Sequence, residues 1–107
     1  MRAGTLSNIK IRTSLAGGIA TIRALVRHPM ENGFHKDETG KLVPAHYIKE
    51  LICRHGDRVV MTCNWGPGIA KNPYLSFKIK AVKSGDAVTL SWTDNLGQQD
   101  TVTAIVE

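Results

Sequence analysis

The side chains with the greatest chemical reach in this sequence are four histidines and two cysteines. Three of the histidines, His28, His35 and His46, fall in one stretch, spaced by seven and eleven residues. Helical and finger-type metal sites bring histidines together at shorter spacing or pair them with cysteines. This spacing has neither form, and no cysteine lies close by. A loop could still gather the three, so they are the residues a metal or small ligand would use if the chain were an independent binding module. Cys53 and Cys63 are too few for a metal knuckle. A two-residue turn at His55-Gly56 would set Arg54 opposite Asp57, Cys53 opposite Arg58 and Ile48 opposite Cys63. The two sulfurs would then point to opposite sides of the sheet, whereas a loop longer by one residue would put both on one face. The expectation is two free, buried thiols rather than a bridge.

Signatures of catalysis are missing from the sequence. There is no G-x-S-x-G, no H-E-x-x-H, no P-loop and no dinucleotide fingerprint. Gly66-Pro67-Gly68 lacks the strand-then-helix setting of a phosphate cradle. Asp37-Glu38 sit side by side among basic residues and read as a solvated turn. The ending Ala104-Ile105-Val106-Glu107 has no nucleophile. The chain therefore reads as a non-enzyme that needs no cofactor.

The elements that would position these groups follow from periodicity. Ile19 to Arg27 alternates Ala20, Ile22, Ala24 and Val26 with Thr21, Arg23, Leu25 and Arg27, the pattern of a half-buried strand. Ser7 to Arg12 reads as an edge strand, and Ala16-Gly17-Gly18 turns it back. Tyr47 to Cys53 and Val59 to Trp65 form a hairpin, the second strand turning Val59, Met61, Cys63 and Trp65 to one face. Leu75, Phe77 and Ile79 alternate with Ser76, Lys78 and Lys80 after Pro73. Val88, Leu90 and Trp92 point inward, and the last strand alternates Val102, Ala104 and Val106 with threonines. Gly66 and Gly68 tolerate positive φ and Pro67 fixes its own, so Trp65 to Asn72 is a stiff turn; Asn95 and Gly97 suit the positive φ of the later turn. About seven short strands with turns between them, in 107 residues, predict one all-β domain over 1–107, an immunoglobulin-like antiparallel β-sandwich.

Residues 28 to 46 show no periodicity, and a connection of that length in a small domain is functional or disordered. Turn signals at Asn32-Gly33 and Thr39-Gly40 predict a small protruding hairpin within it. The net charge of +5 comes from 14 Lys and Arg against 9 Asp and Glu. The cations are scattered, without the basic cluster or interleaved aromatics of a nucleic-acid surface. They suit attraction to acidic proteins instead. No apolar run approaches a membrane span, and Met1 to Arg12 is too poor in large apolar residues for a signal peptide.

Two stretches in order carry a resemblance. The first is Val26-Arg27-His28-Pro29-Met30-Glu31-Asn32-Gly33, continuing through Lys36-Asp37, Gly40-Lys41 and Pro44-Ala45-His46-Tyr47-Ile48. The second runs from Trp65-Gly66-Pro67-Gly68 through Lys71-Asn72-Pro73-Tyr74 to Phe77, with Trp92-Thr93-Asp94-Asn95-Leu96-Gly97 following. Together they resemble the SoxZ family, the scaffold subunits of the periplasmic SoxYZ sulfur carrier of thiosulfate oxidation. The resemblance implies an immunoglobulin-like sandwich that forms a heterodimer with SoxY, the subunit that carries sulfur on a cysteine in a glycine-rich tail. It also implies transient contacts with cytochrome, hydrolase and dehydrogenase components, and entry into the periplasm alongside the partner, without its own signal. The tail cysteine is absent here, which fits the scaffold role. Phe34-His35, Cys53 and Cys63 depart from the family pattern.

The partner-binding loops expected on this basis comprise Arg27, His28, Pro29, Met30, Glu31, Asn32, Gly33, Lys36 and Lys41, then Trp65, Gly66, Pro67, Gly68, Lys71, Asn72, Pro73 and Tyr74. Arg27, Lys36, Lys41 and Lys71 would steer acidic partners. An isolated chain, its partner face uncovered, could self-associate.

Overall fold

Seven strands fold into two antiparallel sheets in a computed structural model that describes residues 7–107. The targeting-segment reading rests mostly on residues 1–6, which lie outside the described part. Strands β1 (Ile9–Ala16), β2 (Ile19–Val26) and β5 (Tyr74–Ile79) make one sheet in the order β1-β2-β5. The other holds β3 (Ile48–His55), β4 (Arg58–Asn64), β6 (Ala87–Asp94) and β7 (Gln99–Ile105), in the order β4-β3-β6-β7. The expected immunoglobulin-like sandwich is thus present as three strands against four, with β4 on the edge beside β3.

The period-2 pattern explains which faces meet. Along β2 every second residue, Ala20, Ile22, Ala24 and Val26, is buried, and Arg23 and Leu25 point outward. Val88, Leu90 and Trp92 of β6 and Leu51 and Cys53 of β3 close over them from the opposite sheet. Burying a large aliphatic side chain of this kind stabilises the fold by about 1.5–3 kcal/mol. One side of the sandwich is closed where β1 meets β7. There the carboxylate of Asp100 accepts from the Asn8 N–H at 2.7 Å and the Ser7 hydroxyl at 3.1 Å. On the other side β4 and β5 border an open cleft.

The register of the β3–β4 hairpin corrects the expected one. His55 pairs with Arg58, so the turn is Gly56-Asp57, and Gly56 takes a φ of +61°. A bulge follows: Arg54 faces Val59 but Cys53 faces Met61, which leaves Val60 as the extra residue. The shift moves Val60 toward the core and leaves Val59 48% exposed, the reverse of the simple alternation. It also places both cysteines on the inner face. They remain free, Cys53 fully buried and Cys63 only half-buried, so the expectation of two buried thiols holds for Cys53 alone. Burial, with Cys63 nearby as a smaller cause, pushes the Cys53 thiol up to about 11. Burial also raises the thiol of Cys63.

The turns differ in detail as well. In the Trp65 to Asn72 stretch the positive φ falls on Asn72 (+53°) and on neither glycine, and in the β6–β7 turn on Gly97 (+82°) but not Asn95. The predicted small hairpin in the long loop is present. Lys36 pairs with Leu42, and the carboxylate of Asp37 accepts from the Thr39 hydroxyl at 2.6 Å and the Thr39 N–H at 2.8 Å.

Candidate partner-binding site

The long loop leaves β2 at His28, which is where its structure is decided. The His28 N–H donates to the Asn72 side-chain oxygen at 3.0 Å, and the Asn72 N–H donates back to the His28 carbonyl at 3.1 Å. This reciprocal pair joins the two stretches singled out in the sequence, 44 residues apart. A left-handed Asn72 makes the second bond geometrically available, and asparagine is among the residues that adopt this conformation most readily.

The His28 ring then turns inward. Its Nδ1 accepts the Met30 N–H at 3.1 Å, so the ring proton sits on Nε2 and donates to Asp94 Oδ2 at 3.1 Å. The Nε2 of His46, from the far end of the loop, reaches the same oxygen at 2.8 Å and stands 3.2 Å from the side-chain oxygen of Gln98. The second oxygen of Asp94 accepts the N–H groups of Leu96 (3.0 Å) and Gln98 (2.8 Å), which shapes the β6–β7 turn. One carboxylate thereby holds both ends of the 28–46 loop and its own turn. The side chains of Asp94 and His28 are 0% and 2% exposed.

Two further sets of bonds complete the junction. Glu31 and His46 exchange backbone bonds of 2.7 and 2.9 Å across the base of the loop. Asn95 acts as a second hook: its side chain accepts from Tyr47 N–H at 2.8 Å and donates to the Ala45 carbonyl at 2.9 Å. Gly33, at φ +88°, lets the chain pass close to Ala45, where an added Cβ would lie 3.3 Å from the alanine methyl.

Electrostatics agree with this geometry. Burial pushes the His28 pKa down more strongly than its bond to Asp94 raises it, so the ring is neutral at neutral pH. Burial alone would raise the Asp94 pKa, but hydrogen bonds from His28, His46 and the Gln98 and Leu96 amides together hold it below the usual carboxylate range. A charged acceptor with four donors is a stable buried group.

Of the three loop histidines, the structure brings His28 and His46 together, with Asp94 as a third group, their donor atoms all within 4.8 Å. His35 stands apart, exposed and 3.2 Å from Glu31. Three convergent donors can in principle take a cation. Here, however, Nε2 ligation by His28 would move its proton to Nδ1, donor against donor with the Met30 N–H. The backbone thus fixes the tautomer that suits a hydrogen-bonded hub.

The expected partner-binding residues divide into three groups. His28, Met30 and Pro73 are buried and hold the loops from beneath, Met30 with a left-handed φ of +49°. Glu31, Gly33, Trp65 and Gly66 are half-buried. Arg27, Pro29, Asn32, Lys36, Lys41, Pro67, Gly68, Lys71, Asn72 and Tyr74 are exposed and form the outward surface. Asp94 is the central residue that sequence reasoning passed over. The signal available was an Asp two residues before Leu96 and four before Gln98 in a Gly-containing turn, the position from which an Asp side chain caps following amides.

The family model described as "Sulphur oxidation protein SoxZ" matches residues 9–104. No curated protein matches this chain. The matched region takes in β1 to β6, all of β7 but Ile105, the 28–46 loop and the Asp94 hub. This chain, with its two loops fastened to one buried carboxylate, belongs to the SoxZ family of sulfur-oxidation proteins.

Proposed function

We propose that the chain is the non-catalytic subunit of a periplasmic sulfur-carrier pair. It binds SoxY as a heterodimer and helps present the partner's sulfur-bearing cysteine to the cytochrome, hydrolase and dehydrogenase components of thiosulfate oxidation. The observation that carries this reading is the joined platform of loops. Two segments far apart in sequence are fastened through His28, Asn72 and Asp94, and the surface they carry is kept in one shape. Loops fixed by a scaffold in this way are where recognition concentrates. Above the hub Arg27, Lys36, Lys41 and Lys71 are exposed, and none makes an ion pair among the described residues. They are available to draw in acidic partners.

The test is co-expression with the SoxY-family subunit of the same organism. A stable one-to-one complex that supports thiosulfate oxidation with the other components, where neither chain does so alone, is the expected result. Arg27→Glu with Lys71→Glu should slow association or turnover several-fold at low salt. A wild-type chain that binds no such subunit, or that traps sulfur covalently by itself, would overturn the reading. The rival reading, an independent metal module, predicts uptake of one zinc per chain with loss of the His28 and His46 ring-proton signals. The tautomer fixed by Met30 predicts no such uptake.

A further inference from the structure

We infer that the open side of the sandwich, between the edges of β4 and β5, is the seat of the chain's permanent protein partner, which docks there with an extended segment carrying apolar and acidic side chains. This rests on the reading that the chain works as one half of a heterodimer, and goes beyond it by naming the surface and the chemistry of what covers it.

The two sides of the sandwich are finished differently. Where β1 meets β7 the gap is closed by strand contact and by Asp100. Where β4 faces β5 a cleft of about 550 Å³ remains. Its floor is the fringe of the core: Val60, Met61 and Phe77 are half-buried and Val59 is exposed. Each bordering strand is a sheet edge, paired on one side only among the described residues. Outward N–H and C=O groups on such an edge form a template for an added strand.

The rim has a single sign. Arg58, Lys78 and Lys80 border the cleft, all are exposed, and no carboxylate among the described residues lines it. Edge lysines commonly serve to deter strand addition, but here they flank an apolar floor. A segment placing aliphatic side chains on that floor and carboxylates along the rim would satisfy both at once. A second copy of this chain is a poor occupant, because a symmetric contact would set the same cations against one another. Permanent interfaces are the more apolar ones, and this cleft leaves members of the core cluster half-covered, whereas the exposed apolar side chains of the loop platform, Phe34, Leu42 and Tyr74, stand outside that cluster on a backbone bonded within itself. The carrier subunit is therefore assigned to the cleft and the visiting components to the loops.

The experiment is hydrogen exchange on the isolated chain and on its complex with the co-expressed SoxY-family subunit, together with a Val59→Asp/Lys78→Glu variant. Both positions are exposed, so the variant is expected to fold, with a thermal midpoint lowered by no more than the strand-propensity cost of Val59→Asp, and its thermal midpoint is measured alongside. Expected are slowed exchange at residues 58–61 and 77–80 in the complex and at least a tenfold rise in the dissociation constant for the variant. Protection confined to the 28–46 and 66–72 loops, or a variant that binds as tightly as wild type, would overturn the assignment of the cleft while leaving the heterodimer intact. Concentration-dependent protection of the same strands in the isolated chain would make a second copy the occupant and overturn it too. A wild-type chain that forms no complex would instead remove the heterodimer reading and this inference with it.

Discussion

The end of the sandwich around Asp94 and the side between β4 and β5 are opposites. At the first, polar groups are buried and nearly all are matched: one carboxylate takes four donors, and the loop it holds is hydrogen-bonded across its base. At the second, apolar groups are half-exposed and two strand edges have no neighbour among the described residues. The difference separates what this chain supplies for itself from what it leaves to another molecule. Charge divides the molecule another way, between the two sheets. The strands β1, β2 and β5 carry Lys10, Arg12, Arg23 and Lys78 and no acid, whereas in the four-stranded sheet Lys49, Arg54 and Arg58 are balanced by Glu50, Asp94 and Asp100.

If the division is real, changes at the hub cost stability and changes at the cleft cost association. The largest effect is expected from Asp94→Ala, which strands several buried donors and should lower unfolding free energy by about 3–5 kcal/mol in urea titration. A loss below about 1 kcal/mol would mean that the hub is not what holds the loops. Gly33→Ala comes next. Its φ of +88° and the 3.3 Å approach to the Ala45 methyl predict a loss of about 1–2 kcal/mol by the same measurement. At the cleft, Val59→Asp alone should lower stability by no more than about 1 kcal/mol, the span of strand propensities, because the residue is 48% exposed.

Acidity gives a finer probe of the hub. The lowered pKa of His28 means that the unfolded chain takes up a proton more readily than the folded one as pH falls through the ordinary value of 6.5. Stability is therefore full above that value and declines below it, and Asp94, lowered from 3.8, adds a second decline at stronger acid. The groups facing His28 are Asp94, His46 and Trp92. His28→Asn should flatten the first decline and, by removing one of the donors that lower the Asp94 pKa, weaken the second. An unchanged profile between pH 7 and 5 would assign that decline to other groups.

Much of the sandwich was legible in the sequence because alternation reports burial directly. The inward sets of β2 and β6 are those the pattern named. The β3–β4 register was not legible, because a bulge is a one-residue choice between nearly equal pairings, settled by how Val60 and Met61 pack against the opposite sheet. The two loops stood out through their proline and glycine and their family resemblance. Their fastening did not, because Asp94 lies 66 residues from His28 and 48 from His46, and nothing local in a Thr-Asp-Asn-Leu-Gly turn announces distant histidines. His35 shares the loop but not the hub, which shows how little proximity in sequence says about convergence in space.

The extra residue at Val60 sets a limit on what can be built against that edge. By breaking the even spacing of the ladder and increasing the local twist, it leaves an incoming strand only a short run of matched backbone before the two chains diverge. Bulges of this kind are among the devices that blunt an exposed edge against edge-to-edge stacking of copies, so the extra residue also guards the uncovered flank.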